Sequence, residues 1–419
     1  MLAVPLRKRR EMSIMAYVRP SVLHYRTAQV ASWFVSKVLF RRKFIRNEIK
    51  GKKGPFVVIA NHQTMLDFVN LIGATAKPMS FVISNSFYSA LPLKGFMNKM
   101  GVIPKQQFQT TVKDMKRIKG VIDAGHPLVI YPAGLMCEDG LSTPIPGATY
   151  KFLKWLGADV YVARATGSYF VMPKWTGSIR PGKTYMDIYK LFDKDELANM
   201  DIEQIRRKTD DALLFDAYRE QEQTKVAYKG NDKVQGLENV LYMCPHCKTE
   251  FSMTVKDEST LCCSECGYEQ TGDIFGFLHN EKHFGPELRY VSDWSKLIFE
   301  QLKQKIEQGT EGVLSAETTI CMIDPQKDKF AEAGRGTVTL TKEGFTVDGV
   351  LNGESVSLQF PIAGIPTLPF SPGKHFEIQD GKTIYRCVPN EGRLVMKFIN
   401  MIKIFYQLSD TKTKVKSAK

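Results

Sequence analysis

The sequence predicts three folded parts in series: an α/β domain, a small cysteine-rich metal ribbon and a β-rich domain closed by a helix. Three observations carry this. Between residues 51 and 190, short apolar runs alternate with helical patterns, as in an α/β sheet. Two Cys-x-x-Cys pairs follow, Cys244 with Cys247 and Cys263 with Cys266. Beyond about residue 290, short segments of alternating polarity succeed one another and end in an amphipathic helical stretch. The expected parts are an N-terminal amphipathic, membrane-associating region 1–50, an α/β domain 51–235, a ribbon 236–285, a β domain 286–410 and a basic tail 411–419.

The totals agree with a multidomain globular chain. Its 419 residues, 43% hydrophobic and 24% charged, are too many for one ordinary domain. A net charge of +14 points to anionic partners: nucleic acid, a membrane surface or phosphorylated substrates. Five of the eight cysteines fall between Cys244 and Cys266, which suits a metal site in a reducing compartment better than a disulfide framework. No apolar run reaches the roughly 18 residues of a spanning helix. The N-terminal MLAVPLRKRREM is basic but lacks the apolar core and cleavage site of a signal peptide. A protein of the cytoplasmic face of a membrane, held there peripherally, is expected.

From Ser21 to Phe40, just after Pro20, the pattern is helical. Val30, Trp33, Phe34, Val38 and Leu39 share one side, and Arg41, Arg42, Lys43 and Arg46 follow its C-terminal end. Cations there favour the helix dipole. They also suit anionic headgroups, with the apolar side dipping into the interface. The competing expectation is a helix that packs this side on the domain behind it.

Within the α/β domain, strands are expected at Phe56–Ala60, Met79–Ile83, Leu128–Tyr131, Val160–Arg164 and Tyr185–Tyr189. Helices are expected after His62 and at Thr111–Ala124 and Ala148–Leu156, with an apolar helix or loop near Ser86–Met100. The loops Asn61–Asp67, Gly101–Gln107 and Pro132–Gly140 follow strands or apolar segments, where such a sheet carries its chemistry.

His62 and Asp67 stand in the first of these loops. Inside one regular helix, residues five apart would diverge by about 140°. They meet if His62 lies in the turn after the strand and Asp67 in the first turn of the next helix. A carboxylate that fixes one imidazole tautomer and leaves the other nitrogen facing a cleft makes a general base. Alone, HxxxxD recurs by chance, and a capping Asp beside a hydrogen-bonded loop His explains it equally well.

Three further blocks follow in order. The first block, PFVVIANHQTMLD with Asn61, His62 and Asp67, is followed by GVIPKQQ from Gly101, by Tyr131-Pro132-Ala133-Gly134 and by VYVARATG ending at Gly167. The set resembles the glycerophospholipid acyltransferase family, of the lysophosphatidic-acid (PlsC-like) type, over about residues 20–220. The resemblance implies an α/β acyltransferase domain that moves a fatty acyl group from acyl-CoA or acyl-ACP (acyl carrier protein) to a hydroxyl. The implied acceptor is a lysophospholipid such as 1-acylglycerol-3-phosphate, in phospholipid synthesis. It further implies that His62 takes the proton of the attacking hydroxyl and Asp67 orients the imidazole. Asn61, Lys105, Pro132, Gly134 and Arg164 are the substrate-binding residues carried over from the blocks. The turn Pro132–Gly134 is a candidate source of donors for the developing oxyanion. No cysteine stands in a nucleophile context, so direct transfer is expected, with Cys137 a buried structural thiol.

Several positions depart from the family pattern. Ala133 replaces the glutamate of the third, Phe-Pro-Glu-Gly block, and no arginine follows it in Gly134-Leu135-Met136-Cys137. Gln107 stands where the second block carries arginine, leaving Lys105 as the nearest cation, and Tyr161 replaces a proline in the fourth. In the family these positions bind the glycerol-phosphate acceptor, so the departures bear on the acceptor more than on the chemistry. A less phosphate-dependent acceptor explains them; so does a catalytically silent homologue acting as a lipid-binding or scaffold protein.

Residues 191–235 read as solvated helices closing the domain, with an apolar patch at Leu213, Leu214 and Phe215. Next comes the ribbon, whose two knuckles are separated by fifteen residues. Each knuckle sets two thiolates on one side of a tight turn, and Cys244, Cys247, Cys263 and Cys266 complete a tetrahedral zinc site. Four thiolates leave no position for water, so the zinc is structural, and a module of about 30 residues needs it to fold. Cys262 is the alternative fourth ligand. Nucleic acid is not expected as a partner: Lys248 and Lys256 face Glu250, Asp257, Glu258, Glu265 and Glu269, without an aromatic block or basic stripe.

A helix is expected at Leu297–Ile306, then strands at Thr318–Ile323, Gly336–Thr341, Phe345–Val347, Ser355–Phe360, Phe376–Gln379 and Thr383–Val388. Turn signals such as Asn352-Gly353 and Asp380-Gly381 separate them. Glu391–Leu408 closes the set, with Leu394, Phe398, Ile402 and Phe405 on one face. Six or seven strands and one closing helix resemble a PH- or GRAM-type fold. The tail beyond Asp410 is expected to be disordered and drawn to anionic membranes.

Overall fold

A computed structural model describes residues 19–90, 93–107, 111–324, 326, 329–362, 365–381 and 383–417. The stretch MLAVPLRKRREM lies outside them. The chain divides into two units: the first runs to residue 228 without 138–140 and 173–178, and the second takes those two pieces and everything from 229.

The first unit is built on seven strands: β1 (Lys43–Asn47), β2 (Val57–Ala60), β3 (Ser80–Ser84), β4 (Ile103–Lys105), β5 (Leu128–Ile130), β6 (Val160–Thr166) and β7 (Tyr185–Phe192). They form one mixed sheet in the order β1-β7-β6-β2-β5-β3-β4. Strand β2 is central and parallel to both neighbours, Val57 pairing with Leu128 of β5 and Val160 of β6, whereas β6 and β7 are antiparallel. All four residues of β2 are buried because helices cover both faces. Val58 and Ala60 face a core with Tyr25, Leu71, Phe81 and Tyr161. Val57 and Ile59 face Ile118, Val121, Leu153 and Ile205 on the other side.

The helices start and stop where local chemistry dictates. Thr111 and Asp114 form a capping box at the head of Val112–Asp123, and Asp201 with Gln204 does the same for Ile202–Leu213. Gly157, left-handed at φ 62°, ends Ala148–Leu156.

Two strands differ from expectation. β1 carries no strand signal in the sequence because an edge strand, half exposed, needs no apolar alternation. β4 has three residues and includes Pro104, which an edge tolerates, so it reads as loop. The expected segment Ser86–Met100 holds two short helices, Asn85–Ala90 and Lys94–Lys99.

Helix Val22–Val38 presents its polar side inward. Tyr25, Ser32 and Ser36 are buried. Ser32 donates to the Val69 carbonyl, Ser36 Oγ to Asn70 Oδ1 at 3.1 Å, and Gln29 Nε2 to the Ile72 and Thr75 carbonyls at 3.2 and 2.8 Å. The apolar residues face out: Leu23 is 73% exposed, Val30 71%, Trp33 58% and Phe34 62%. The packing alternative is therefore overturned for this side. The cations behind it divide. Arg42 donates to the Asn70 carbonyl and lies 4.4 Å from the Phe44 ring, and burial lowers its pKa to about 10. Arg46 holds Asp187 at 2.8 and 2.9 Å. Arg41 and Lys43 are exposed.

The second unit holds two antiparallel sheets. The ribbon's strands, β8 (Met253–Val255), β9 (Thr260–Cys263), β10 (Glu269–Gly272) and β11 (Leu278–His279), pair in the order β11-β10-β9-β8. Helix Val291–Glu307 follows and buries Trp294, whose Nε1 donates to the Met243 carbonyl at 2.9 Å. Next come β12 (Leu314–Asp324), β13 (Lys329–Leu340), β14 (Gly344–Leu351), β15 (Glu354–Pro361), β16 (Phe370–Ser371), β17 (His375–Asp380) and β18 (Thr383–Pro389). Their order is β15-β14-β13-β12-β18-β17-β16. Helix Leu394–Ser417 closes them, Phe398 stacking on Phe345 and Phe376 at 6.1 and 4.9 Å. It continues nine residues past the expected end at Leu408, so the tail expected to be disordered is helical as far as Ser417.

Polar contacts tie this unit together. Lys397, 7% exposed, bonds Glu250 of the ribbon at 2.6 Å and Glu311 at 2.5 Å, while Lys305 reaches Glu250 at 3.1 Å. The two early pieces are held the same way. Lys403 bonds Glu138 at 2.5 Å, and Asp232 accepts from Thr176 and Ser178 at 3.2 and 2.5 Å.

Candidate active site and candidate metal centre

The loop after β2 ends the strand with a side chain. Asn61 Nδ2 donates to the Ala165 carbonyl and its Oδ1 accepts from the Ala165 N–H, both at 2.8 Å, so the amide continues the pairing with β6. Gln63 adds a bond to the same carbonyl at 3.1 Å and accepts from the Tyr169 N–H at 3.0 Å. Released from strand geometry but clamped on both sides, His62 meets Asp67 in the first turn of helix Asp67–Ile72. His62 Nδ1 lies 2.9 Å from Asp67 Oδ2. The same oxygen accepts from the Gln63 and Thr64 N–H groups at 2.6 and 2.9 Å. Asp67 is 2% exposed and His62 21%. The carboxylate is thus fixed and buried, and with Nδ1 taken the imidazole has Nε2 left for chemistry.

His62 lines a shallow cleft with Asn61, Pro132, Ala133, Ser142 and Leu214 among its walls. Ala133 therefore borders the cleft at the position where the third block would carry a glutamate. The apolar patch Leu213, Leu214 and Phe215 forms part of the same wall. Its hydrophobicity is visible in the sequence, but its place in the site depends on the chain returning after Ile202–Leu213, which no local signal announces. Ser142 and Thr143 also line the cleft without any sequence signal. The Ser142 hydroxyl accepts from the Phe215 N–H at 3.1 Å and holds that wall in place.

The remaining expected residues are placed unevenly. Gly134 adopts φ 72°, and its N–H closes a turn on the Tyr131 carbonyl at 3.0 Å. Pro132 has no N–H, so the donor this turn has left for an oxyanion is the Ala133 N–H. Gln107 Nε2 donates to the Gly134 carbonyl at 2.5 Å and joins the second block to the third. Lys105, at the end of β4, bonds the adjacent Gln106 carbonyl at 3.0 Å, and burial lowers its pKa. Arg164 donates to the Ala212 and Leu214 carbonyls at 2.8 and 3.0 Å and to Glu220 at 2.6 Å. Its guanidinium holds the cleft wall to β6. Asn61 is likewise taken up by Ala165, so its contribution is to position His62. Cys137 is buried, with Sγ 3.9 Å from the Gln63 carbonyl.

In the second unit, Cys244, Cys247, Cys263 and Cys266 point at one centre, their four sulfurs within 4.8 Å of one another. Cys244 and Cys266 stand 3.7 Å apart, as do Cys247 and Cys263. A tetrahedron of thiolates at the zinc–sulfur bond length of about 2.3 Å has edges of about 3.8 Å, so the set fits zinc. Cys262 turns to the other face of β9, 3.4 Å from Thr254 Oγ1. His246 packs on Phe284 at 4.4 Å and is not in the cluster.

Comparison with known proteins gives one family match. The family model described as Acyltransferase matches residues 41–176. No curated protein matches the chain. Among solved structures, the 1-acyl-sn-glycerophosphate (LPA) acyltransferase PlsC from Thermotoga maritima is similar at 15% identity and a TM-score of 0.41, over 48% of this chain and 79% of that one. The Ran-binding domain of Nup2 from Ashbya gossypii is similar at 12% identity and a TM-score of 0.19, over 23% of this chain and 97% of that one.

Proposed function

We propose, from the match of residues 41–176 to the Acyltransferase family model, that the chain is a peripheral membrane O-acyltransferase. It moves a fatty acyl group from acyl-CoA or acyl-ACP to a hydroxyl of a lysophospholipid, in phospholipid synthesis. The observation that carries the reading is the His62–Asp67 pair, 2.9 Å apart with Asp67 buried and His62 on the cleft. His62 Nε2 accepts the proton of the acceptor hydroxyl as that oxygen attacks the thioester carbonyl. Asp67 stabilises the imidazolium, the carbonyl oxygen takes the developing charge beside the Ala133 N–H, and the thiolate leaves. The apolar wall at Leu213–Phe215 suits an acyl chain. Lys105 sits on the acceptor side, and Arg164 and Asn61 shape the site from behind.

With Ala133 on the cleft wall, the acceptor is one whose recognition depends less on phosphate than 1-acylglycerol-3-phosphate does. The outward face of helix Val22–Val38, with Arg41 and Lys43 beyond it, rests on the anionic cytoplasmic leaflet. The four cysteines hold a structural zinc, supplying the stability that the ribbon's small core lacks. Seven antiparallel strands and a closing helix support a PH/GRAM-like assignment for the β domain. The proposed parts are 1–50, 51–235, 236–285, 286–410 and 411–419, as the composition divides them.

The test is transfer of labelled acyl groups by the purified full-length protein to a panel of lysolipids, from acyl-CoA and from acyl-ACP, beside His62→Ala. Transfer to at least one acceptor is expected, reduced in the variant by about 10²–10⁴-fold. Absence of transfer from both donors to every acceptor favours the second reading, a silent lipid-binding homologue, to which the alanine at position 133 lends weight.

A further inference from the structure

Two buried polar atoms beside His62 lack hydrogen-bond partners among the described residues: Asp67 Oδ1 and the Tyr131 hydroxyl. Asp67 Oδ2 already accepts three bonds, so the second oxygen is where the carboxylate's remaining need lies. The Tyr131 ring lies against the His62 ring, centroids 4.5 Å apart and planes 33° from parallel. Its outer part packs on the core that includes Val58 and Tyr161. Its neighbours Pro132 and Ala133 line the cleft together with His62. Burial first, and then the charge on Asp67, push the tyrosine's pKa well above its ordinary value, so the group keeps its proton and can donate it. A buried hydroxyl and a buried carboxylate oxygen, each unpaired and electrostatically coupled, form a pattern that one shared water satisfies.

We infer that Tyr131 is a positioning residue of the His62–Asp67 pair, its hydroxyl donating through one buried water to Asp67 Oδ1. The carboxylate is then held at both oxygens: two backbone N–H groups and the imidazole on one, the tyrosine-bound water on the other. The inference rests on the reading of His62 and Asp67 as a working pair only for its kinetic consequence.

Tyr131→Phe keeps the ring and removes one oxygen. If the hydroxyl serves Asp67, the melting temperature of the full-length protein falls by about 2–4 °C. In an Asp67→Asn background the same change has little effect, because the acceptor is gone. A melting temperature that stays level or rises overturns the inference, since deleting an isolated buried hydroxyl relieves an unpaired polar group. An equal loss in both backgrounds also overturns it. In the acyl-transfer assay, Tyr131→Phe lowers kcat about tenfold with KM unchanged, the kinetic measure of one bond to a charged group. A wild-type protein without transfer would sink the enzyme reading and leave the melting cycle intact.

Discussion

Cys262 and Cys263 are neighbours with opposite surroundings, because β9 sends consecutive side chains to opposite faces. The spacing of the two knuckles predicts Cys263 as the ligand, and its sulfur lies in the four-cysteine cluster that could hold a metal ion. Cys263→Ser should lose bound zinc and several kcal/mol of stability, whereas Cys262→Ser keeps both. Metal content by mass spectrometry and a urea melt of each variant check this; retention of zinc by Cys263→Ser sinks the assignment. Residue chemistry was less legible in the loop after β2. The pairing of His62 with Asp67 follows from spacing and chain direction alone. That Asn61 extends β6 pairing, or that Arg164 anchors Leu214, does not, because both depend on partners about 50 or 100 positions away.

Elements were legible where an apolar run was buried on both faces or a helical period had one buried side. β2, β5 and β6 are apolar runs buried on both faces, and Ala148–Leu156 was bounded by its own sequence, ending at Gly157. β1 and β4 were hidden because edge strands need no apolar alternation. Helix Val22–Val38 is the instructive case: its stripe was visible, and sequence could not say which way it faces. The direction is decided by Ser32, Ser36 and Gln29, which satisfy the carbonyl ends and side chain of helix Asp67–Ile72 and the turn after it. The paired substitution Trp33→Glu and Phe34→Glu should leave the melting temperature within about 2 °C, since both side chains are exposed. Binding to vesicles containing phosphatidylserine should fall by at least about tenfold, as two aromatic groups that would enter the interface are replaced by repelled charges. Cosedimentation at fixed salt measures it, and unchanged binding would remove this helix from the membrane contact.

On the scale of the whole chain, acid sensitivity belongs to the second unit. Burial, then Arg386, Lys374 and Lys174, lower the His375 pKa to about 4 from an ordinary 6.5. The folded state therefore resists a proton that the unfolded chain accepts. Its contribution is complete above pH 6.5 and is lost as pH falls from 6.5 towards 4, about 2 kcal/mol of it by pH 5. Glu138, held below its ordinary range by Lys403 and Lys174 against the opposing effect of burial, adds to the loss at lower pH. Urea melts at pH 7 and pH 5 test this: His375→Gln should show the smaller decline between them, and an equal decline in both proteins would exclude His375 as its source.

The contact between Glu138 and Lys403 spans 265 positions, and its consequence lies in time. A ribosome adding about 5–20 residues per second releases the acid roughly 15–50 s before the base exists. Through that interval Glu138 waits without its partner, while Asp232, the partner of Thr176 and Ser178, follows them by only 56 and 54 positions and the β2-centred sheet can already have formed. The second unit is thus the last to close during synthesis, with the acid at 138 kept waiting until the final helix has been made.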